Sequence, residues 1–204
     1  MDLKIPEYVK ALKPYKPGNL FKNIELKSHV KQIINFASNE NQLGPSSKVI
    51  EAIQKSASKV RIYPDPMSKD LVNVIAEKFD KRPSQVICGH GSESLIAHIV
   101  NAFSEMETRV LTARGTFAGI YVKSNKIGRR LNRVPLKEGG YDLDGILRRI
   151  REDTSIIYIS NPNNPTGSIV TKDEFDDFID QVPKNILIVL DEAYSVYGAQ
   201  HDGY

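Results

Sequence analysis

The chain has one cysteine, Cys88, in 204 residues. A single cysteine excludes an internal disulfide framework, and no CxxC pair is available for a metal cluster or a dithiol redox site. Its apolar neighbours Val86 and Ile87 predict a buried, structural thiol. Long hydrophobic runs are also missing. Residues 1–13 carry Asp2, Lys4, Glu7 and Lys10, so this stretch reads neither as a secretory signal nor as a membrane span, and a cytoplasmic protein is expected. Charge of one sign is not in large excess: 28 Lys+Arg oppose 25 Asp+Glu, a net +3. The basic residues are spread out apart from Arg129-Arg130, Arg133 and Arg148-Arg149-Arg151. A nucleic-acid footprint needs a stronger basic stripe with aromatic interleaving, so no nucleic-acid partner is expected. No internal repeat or low-complexity tract is present.

The hydrophobic fraction of 40% supplies a sizeable core, enough for one large domain or one domain plus an arm. Residues 1–45 read as the arm, with Pro6, Pro14, Pro17, Gly18 and Pro45 breaking up short apolar patches. Residues 7–12 suit a helical turn or two, and 33–37 a short extended stretch. Residues 48–58 place Val49, Ile50, Ile53 and Ala57 at helical spacing. Residues 68–79 repeat the pattern with Leu71, Val74, Ile75 and Phe79, with Ser68 as the expected N-cap. Between them, Tyr63-Pro64-Asp65-Pro66 should hold Tyr63 out on a loop.

From residue 85 the pattern alternates. Strands are expected at 85–88, 109–112, 131–136, 155–160 and 186–190. Helices are expected at 93–103, 116–125, 143–150 (capped by Asp142) and 172–179, the last ended by Pro183. Strands alternating with helices argue for a three-layer α/β/α sandwich around a mostly parallel sheet.

In such a sheet, ligands sit just beyond the carboxyl ends of the strands. Two of those ends carry polar sequences: NPNNPTG at 161–167 and DEAY at 191–194. Together they deliver an amide (Asn164), a carboxylate (Asp191) and a phenol (Tyr194) to one crevice. That set suits a flat, polar heteroaromatic group. Asp191 follows a run of five apolar residues, where a carboxylate is costly to bury without a partner. The junction Cys88-Gly89-His90-Gly91-Ser92-Glu93-Ser94 allows a tight backbone ahead of a helix. Free N–H groups and the Ser92 hydroxyl there would form an anion site. It is not a Walker loop, since no GK[ST] follows, and it fails GxGxxG at the third glycine. That argues against a nucleotide-binding α/β domain.

On these motifs the chain resembles the pyridoxal-phosphate (PLP) aminotransferases of fold type I, and most closely their histidinol-phosphate aminotransferase subgroup. The resemblance runs from about residue 7 to 204. It implies PLP as cofactor, no metal, small-molecule amino donors and 2-oxo acids as substrates, and a homodimer. It implies that Gly91, Ser92 and Glu93 hold the cofactor phosphate and that Phe117 stacks on the ring. Asn164 and Tyr194 would bond the ring 3-oxygen, and Asp191 the protonated ring nitrogen, which makes Asp191 and Tyr194 the catalytic pair present. Asn161 would shape the loop. Tyr63 would reach a neighbouring subunit's phosphate. SNENQLGPS at 38–46 resembles the segment lining the active site, which assigns Asn39 to substrate, and Tyr15 matches an arm tyrosine with the same role.

The resemblance also places the Schiff-base lysine, the last strands and a C-terminal domain beyond DEAY. Residues 46–204 are therefore expected to be a truncated PLP-binding large domain, inactive alone. The strand at 85–88 would lack its ladder partner, 186–190 would have a free edge, and isolated folding would be poor. The implied reaction is ping-pong transamination between histidinol phosphate and 2-oxoglutarate in histidine biosynthesis. Alternatives are another fold type I PLP enzyme, such as a phosphothreonine decarboxylase-like or aromatic aminotransferase-like one, or an inactive fragment acting only as a binding partner.

Overall fold

The computed structural model describes residues 3–12 and 38–204. Four parallel strands form one sheet in the order β2-β1-β3-β4: β1 (Arg109–Arg114), β2 (Arg130–Pro135), β3 (Thr154–Ser160) and β4 (Leu187–Asp191). β3 is central and buried along nearly its whole length. That is the state a continuous Ile-rich run adopts when both sheet faces are covered. Side chains alternate between the faces. Ile157 and Ile159 enter a cluster with Leu111, Val134, Ile146, Phe178, Val182 and Ile186. Ile156 and Tyr158 enter the opposite cluster with Ile96, Val100, Val110 and Ile120. The first cluster is covered by α6 (Leu143–Leu147) and α7 (Lys172–Gln181), the second by α4 (Gly91–Phe103) and α5 (Ala118–Lys126). The expected three-layer sandwich is the observed one.

Local chemistry sets the helix ends. The Thr171 side chain accepts from the Glu174 N–H, while Glu174 accepts from the Thr171 N–H at 2.8 Å, a capping box that starts α7. Asp142 accepts from the Gly145 N–H at 2.8 Å and starts α6. Pro183 follows the C-cap Val182 of α7.

The expected strand at 85–88 does not form. A 3-10 turn covers Pro83–Gln85, and the chain then runs unpaired into α4. A strand exists only with a ladder partner for its N–H and C=O groups. Here the facing edge of β4 lies across an apolar cleft of about 440 Å³, lined by Ile87, Cys88, Leu95, Ile99, Val189 and Leu190 among others. Ile87 is consequently 79% exposed, and Cys88 is half-buried rather than buried.

The N-terminal helices are α1 (Glu7–Lys10), α2 (Ser47–Ser56, continued by a 3-10 turn at Ala57–Lys59) and α3 (Lys69–Lys78). Their amphipathic spacing is as expected, yet Val49, Ile50 and Ile53 of α2, Leu71 and Val74 of α3, and the C-cap Phe79 are exposed. Ser68 does not cap α3: it sits at φ +48° without a side-chain hydrogen bond. Asp65 replaces it, accepting from the N–H groups of Met67 (3.0 Å) and Lys69 (2.9 Å). Those backbone donors, and secondarily the Lys69 charge, hold the Asp65 carboxyl below its usual 3.8. A depressed carboxyl stabilises the fold above its unfolded pKa and loses that contribution as pH falls through the folded value. The protection factor of the Lys69 amide, its exchange relative to the intrinsic rate at each pH, should therefore fall as pH drops below the usual carboxylate range, and Asp65→Asn should flatten that dependence. Equal pH dependence in both proteins would rule out this capping role.

Candidate functional site

Parallel strands bring their carboxyl ends to one side of the sheet. Ser160 is paired in register with Asp191, and the Asn161 N–H donates to the Asp191 carbonyl at 3.0 Å. β1 ends beside them and turns at Gly115 into the segment carrying Phe117. A pocket of about 90 Å³ opens there, lined by Ser92, Phe117, Ser160, Asn164, Asp191, Ala193 and Tyr194. The structure thus brings together five of the side chains singled out by sequence: Ser92, Phe117, Asn164, Asp191 and Tyr194.

The NPNNPTG loop is pinned by its other residues. Asn161 is buried and grips Val170 with both ends of its amide: Nδ2 donates to the carbonyl at 2.8 Å and Oδ1 accepts from the N–H at 2.9 Å. Asn163 Nδ2 bonds Thr166 Oγ1 (2.8 Å) and the Gly115 carbonyl (3.2 Å), tying this loop to the β1 turn. Asn164 is left half-buried, on the pocket wall. Replacing Asn161 by alanine orphans both polar groups of Val170. Urea unfolding should show a loss of about 1–3 kcal/mol. A loss within experimental error would mean the loop is held some other way.

Phe117 precedes α5, and its ring lies back over Gly119. A Cβ on Gly119 would fall 2.3 Å from Phe117 Cε1, so the ring position needs glycine there. Two tyrosines, neither anticipated from sequence, fix the surrounding backbone. Tyr121 Oη donates to the Ala113 carbonyl (2.6 Å) and accepts from the Gly115 and Thr116 N–H groups. Tyr141 Oη donates to Thr116 Oγ1 (2.6 Å) and accepts from the Ser160 N–H (2.9 Å). Burial pushes the Tyr141 phenol up to about 12 against those hydrogen bonds, so it remains a donor at neutral pH.

Asp191 is nearly buried and doubly held. Tyr158 donates to Oδ2 at 2.7 Å, and the Ala193 N–H to Oδ1 at 3.2 Å. Tyr158 was also missed, though the strand alternation carries its signal. It pairs with Val189, two residues before Asp191 on the same face.

The remaining candidates are placed differently. Asn39 Nδ2 donates to Tyr194 Oη at 2.8 Å, and both line a neighbouring cleft of about 410 Å³ with Glu40, Asn164, Tyr197 and His201. The Glu93 carboxylate lies 2.5 Å from Lys123 Nζ on α5, a contact that holds it below the usual carboxylate range. Only its backbone is left for an anion at the start of α4. Gly91, at φ +72°, lines the apolar cleft beside β4. Tyr63 is 88% exposed and lines none of these cavities. Tyr15 and the expected stretch 33–37 lie outside the described residues. Among the described residues, no group of three or more His, Cys, Asp or Glu is placed to hold a metal ion.

Chemically, the pocket offers a carboxylate at its floor, an aromatic ring, and an amide and phenol on one wall. Ser92, in the first turn of α4, also lines it. It fits a flat anionic heteroaromatic group with a basic ring nitrogen and a ring oxygen.

Comparison with known proteins points the same way. The family described as "Aminotransferase class I and II" matches residues 31–203. A histidinol-phosphate aminotransferase of Halalkalibacterium halodurans is 38% identical over 200 residues, covering 98% of this chain and 54% of its own length. One from Anaeromyxobacter sp. is 38% identical over 194 residues, covering 95% and 53%. The solved structure of histidinol-phosphate aminotransferase from Sinorhizobium meliloti in complex with pyridoxal-5'-phosphate superposes with a TM-score of 0.75 at 32% identity. That match covers 78% of this chain and 43% of that one. The chain spans about half the length of the curated relatives it matches.

Proposed function

The chain belongs to the class I and II aminotransferase family, and on that premise we propose that it forms the cofactor-binding part of a PLP-dependent histidinol-phosphate:2-oxoglutarate aminotransferase. The observation that carries this reading is the position of Asp191. It ends β4 inside the pocket that Phe117, Asn164 and Tyr194 also line.

In this reading Asp191 holds the ring nitrogen of PLP. A buried carboxylate and a pyridinium each supply the partner that the other's desolvation demands. Asn164 and Tyr194 hold the ring oxygen, one from each strand-end loop. Phe117 lies against a ring face, where only a π surface is needed. Ser92 and the first-turn N–H groups of α4 take the phosphate, as the positive end of a helix dipole favours an anion. Bound there, PLP supplies an electron sink for the carbanion left when a substrate Cα–H bond breaks. The protein's share is to bind, orient and pair the ring. Among the described residues no lysine lines the pocket, so the part of these side chains is positioning and electrostatics rather than covalent attachment.

The amino donor enters on the Asn39 side. The cleft of about 410 Å³ shares Asn164 and Tyr194 with the ring pocket, which supports a substrate site beside it. A homodimer fits the exposed Tyr63 and the uncovered apolar faces of α2 and α3. No helix among the described residues is long and apolar enough to cross a membrane. The assay that tests the reading uses the whole aminotransferase of which this chain is the proposed part. It follows glutamate formation from 2-oxoglutarate with histidinol phosphate or aromatic amino acids as partner, and CO2 release from phosphothreonine. Turnover should be highest with histidinol phosphate. Preference for an aromatic amino acid, or decarboxylation of phosphothreonine, would replace the assigned substrate.

A further inference from the structure

The Tyr158 phenol is a polar group that the fold itself does not require. Its side chain is fully buried among Ile96, Val100, Val110, Ile120 and Ile156. A phenylalanine would fill that space without bringing a hydroxyl into an apolar layer, where an unbonded hydroxyl costs free energy. The hydroxyl donates to Asp191 Oδ2 at 2.7 Å. Burial first, and then the adjacent Asp191 carboxylate, drive the phenol far above its ordinary pKa, so it remains a donor throughout the neutral range.

The sheet explains how the bond is aimed. Tyr158 pairs with Val189, and Asp191 lies two residues further along the neighbouring strand on the same face. Two residues of strand advance about 6–7 Å, a span that the ring and hydroxyl bridge. The base of the ring is anchored too, since Thr112 Oγ1 donates to the Tyr158 carbonyl at 2.8 Å. On the other side the Ala193 N–H reaches Oδ1. Each carboxylate oxygen is therefore held by one donor, Oδ2 by Tyr158 from within the core and Oδ1 by the Ala193 N–H in the turn after β4.

We infer that Tyr158 is a positioning residue for the cofactor: through its hydrogen bond it fixes the Asp191 carboxylate in the orientation that pairs with the ring nitrogen of PLP. This rests on the PLP reading. It assigns Tyr158 no contact with cofactor or substrate.

The test compares two ligands that differ only at the ring nitrogen. PLP and its 1-deaza analogue, with carbon in place of nitrogen, are titrated by absorbance into the wild-type protein and Tyr158→Phe. Loss of a hydrogen bond to a charged group should weaken PLP binding about 10- to 100-fold. The analogue gives Asp191 nothing to pair with, so its affinity should change less than about twofold. Equal weakening of both ligands would mean that Tyr158 only supports packing, and no weakening of either would mean that the hydrogen bond is idle. Either result overturns the proposal while leaving the PLP reading intact. Failure of the wild-type protein to bind PLP at all would instead overturn the reading beneath it. Should Tyr158→Phe fold poorly, 3-fluorotyrosine at position 158 strengthens the same donor without removing it. The absorption band of bound PLP should then move while that of the analogue stays, and an unmoved PLP band would count against the proposal.

Discussion

In the whole aminotransferase of which this chain is the proposed part, Asp191→Ala should lower the affinity for PLP by at least about 100-fold and remove transamination. The carboxylate is nearly buried at the end of β4, among groups that leave it one natural partner on the pocket side. Removing one member of a buried charge pair costs about 3–5 kcal/mol, because the other is left desolvated and unpaired. At 1.4 kcal/mol per tenfold that is a factor of 100 or more in binding. The alanine variant also deprives the Tyr158 hydroxyl of its acceptor, so Asp191→Asn is the informative companion. Asparagine keeps the shape and can still accept from Tyr158, but it presents no negative charge to a pyridinium. It should retain the fold, bind PLP less tightly than wild type, and turn over far more slowly. Titration by absorbance, followed by single-turnover kinetics, checks both. Wild-type affinity in Asp191→Ala would show that the ring nitrogen is held elsewhere.

Phe178→Ala should destabilise the fold by about 3–5 kcal/mol. Phe178 is 2% exposed and joins α7 to the inner face of the sheet, against a cluster containing Ile157, Ile159, Val182 and Ile186. Its ring also stacks on Phe175, with centroids 6.4 Å apart. Truncation removes most of a large side chain from a site where the rigid sheet cannot close the void. Domains of this size are stable by only about 5–15 kcal/mol, so the loss is a large share of the total. The urea midpoint should fall with an unchanged slope. A change below about 1 kcal/mol would mean that this face of the sheet is not the packed core described above.

Much of this architecture is written plainly in the chain. The apolar runs of β3 and β4 are followed directly by NPNNPTG and DEAY, so the strands and the residues at their carboxyl ends could be located together. The Asp142 cap was equally local, needing only a polar side chain and an N–H three residues on. What escaped depends on partners far away in sequence. Val86-Ile87-Cys88 has strand composition, but composition alone forms no strand where, as the resemblance implied, no ladder partner adjoins it. Glu93 was legible as a helix-start carboxylate, while its pairing with Lys123 depends on how α4 packs on α5. The apolar faces of α2 and α3 follow from spacing; their exposure does not. Ser68 makes no cap because it sits at φ +48°, outside the β-region backbone of an N-cap, while Asp65 accepts from the Lys69 N–H. Tyr158 lay in a segment read only as a strand, although its phase relative to Asp191 follows from simple strand alternation.

The most direct test of the site is the protonation state of the ring nitrogen. Ring-labelled ¹⁵N-PLP is bound to the wild-type protein and to Asp191→Ala, and the nitrogen chemical shift is read at neutral pH. Pairing with Asp191 calls for a pyridinium resonance in the wild type and an unprotonated pyridine resonance in the variant. An unprotonated nitrogen in the wild type, or a shift indifferent to residue 191, would contradict the assignment of Asp191 and with it the account of the pocket.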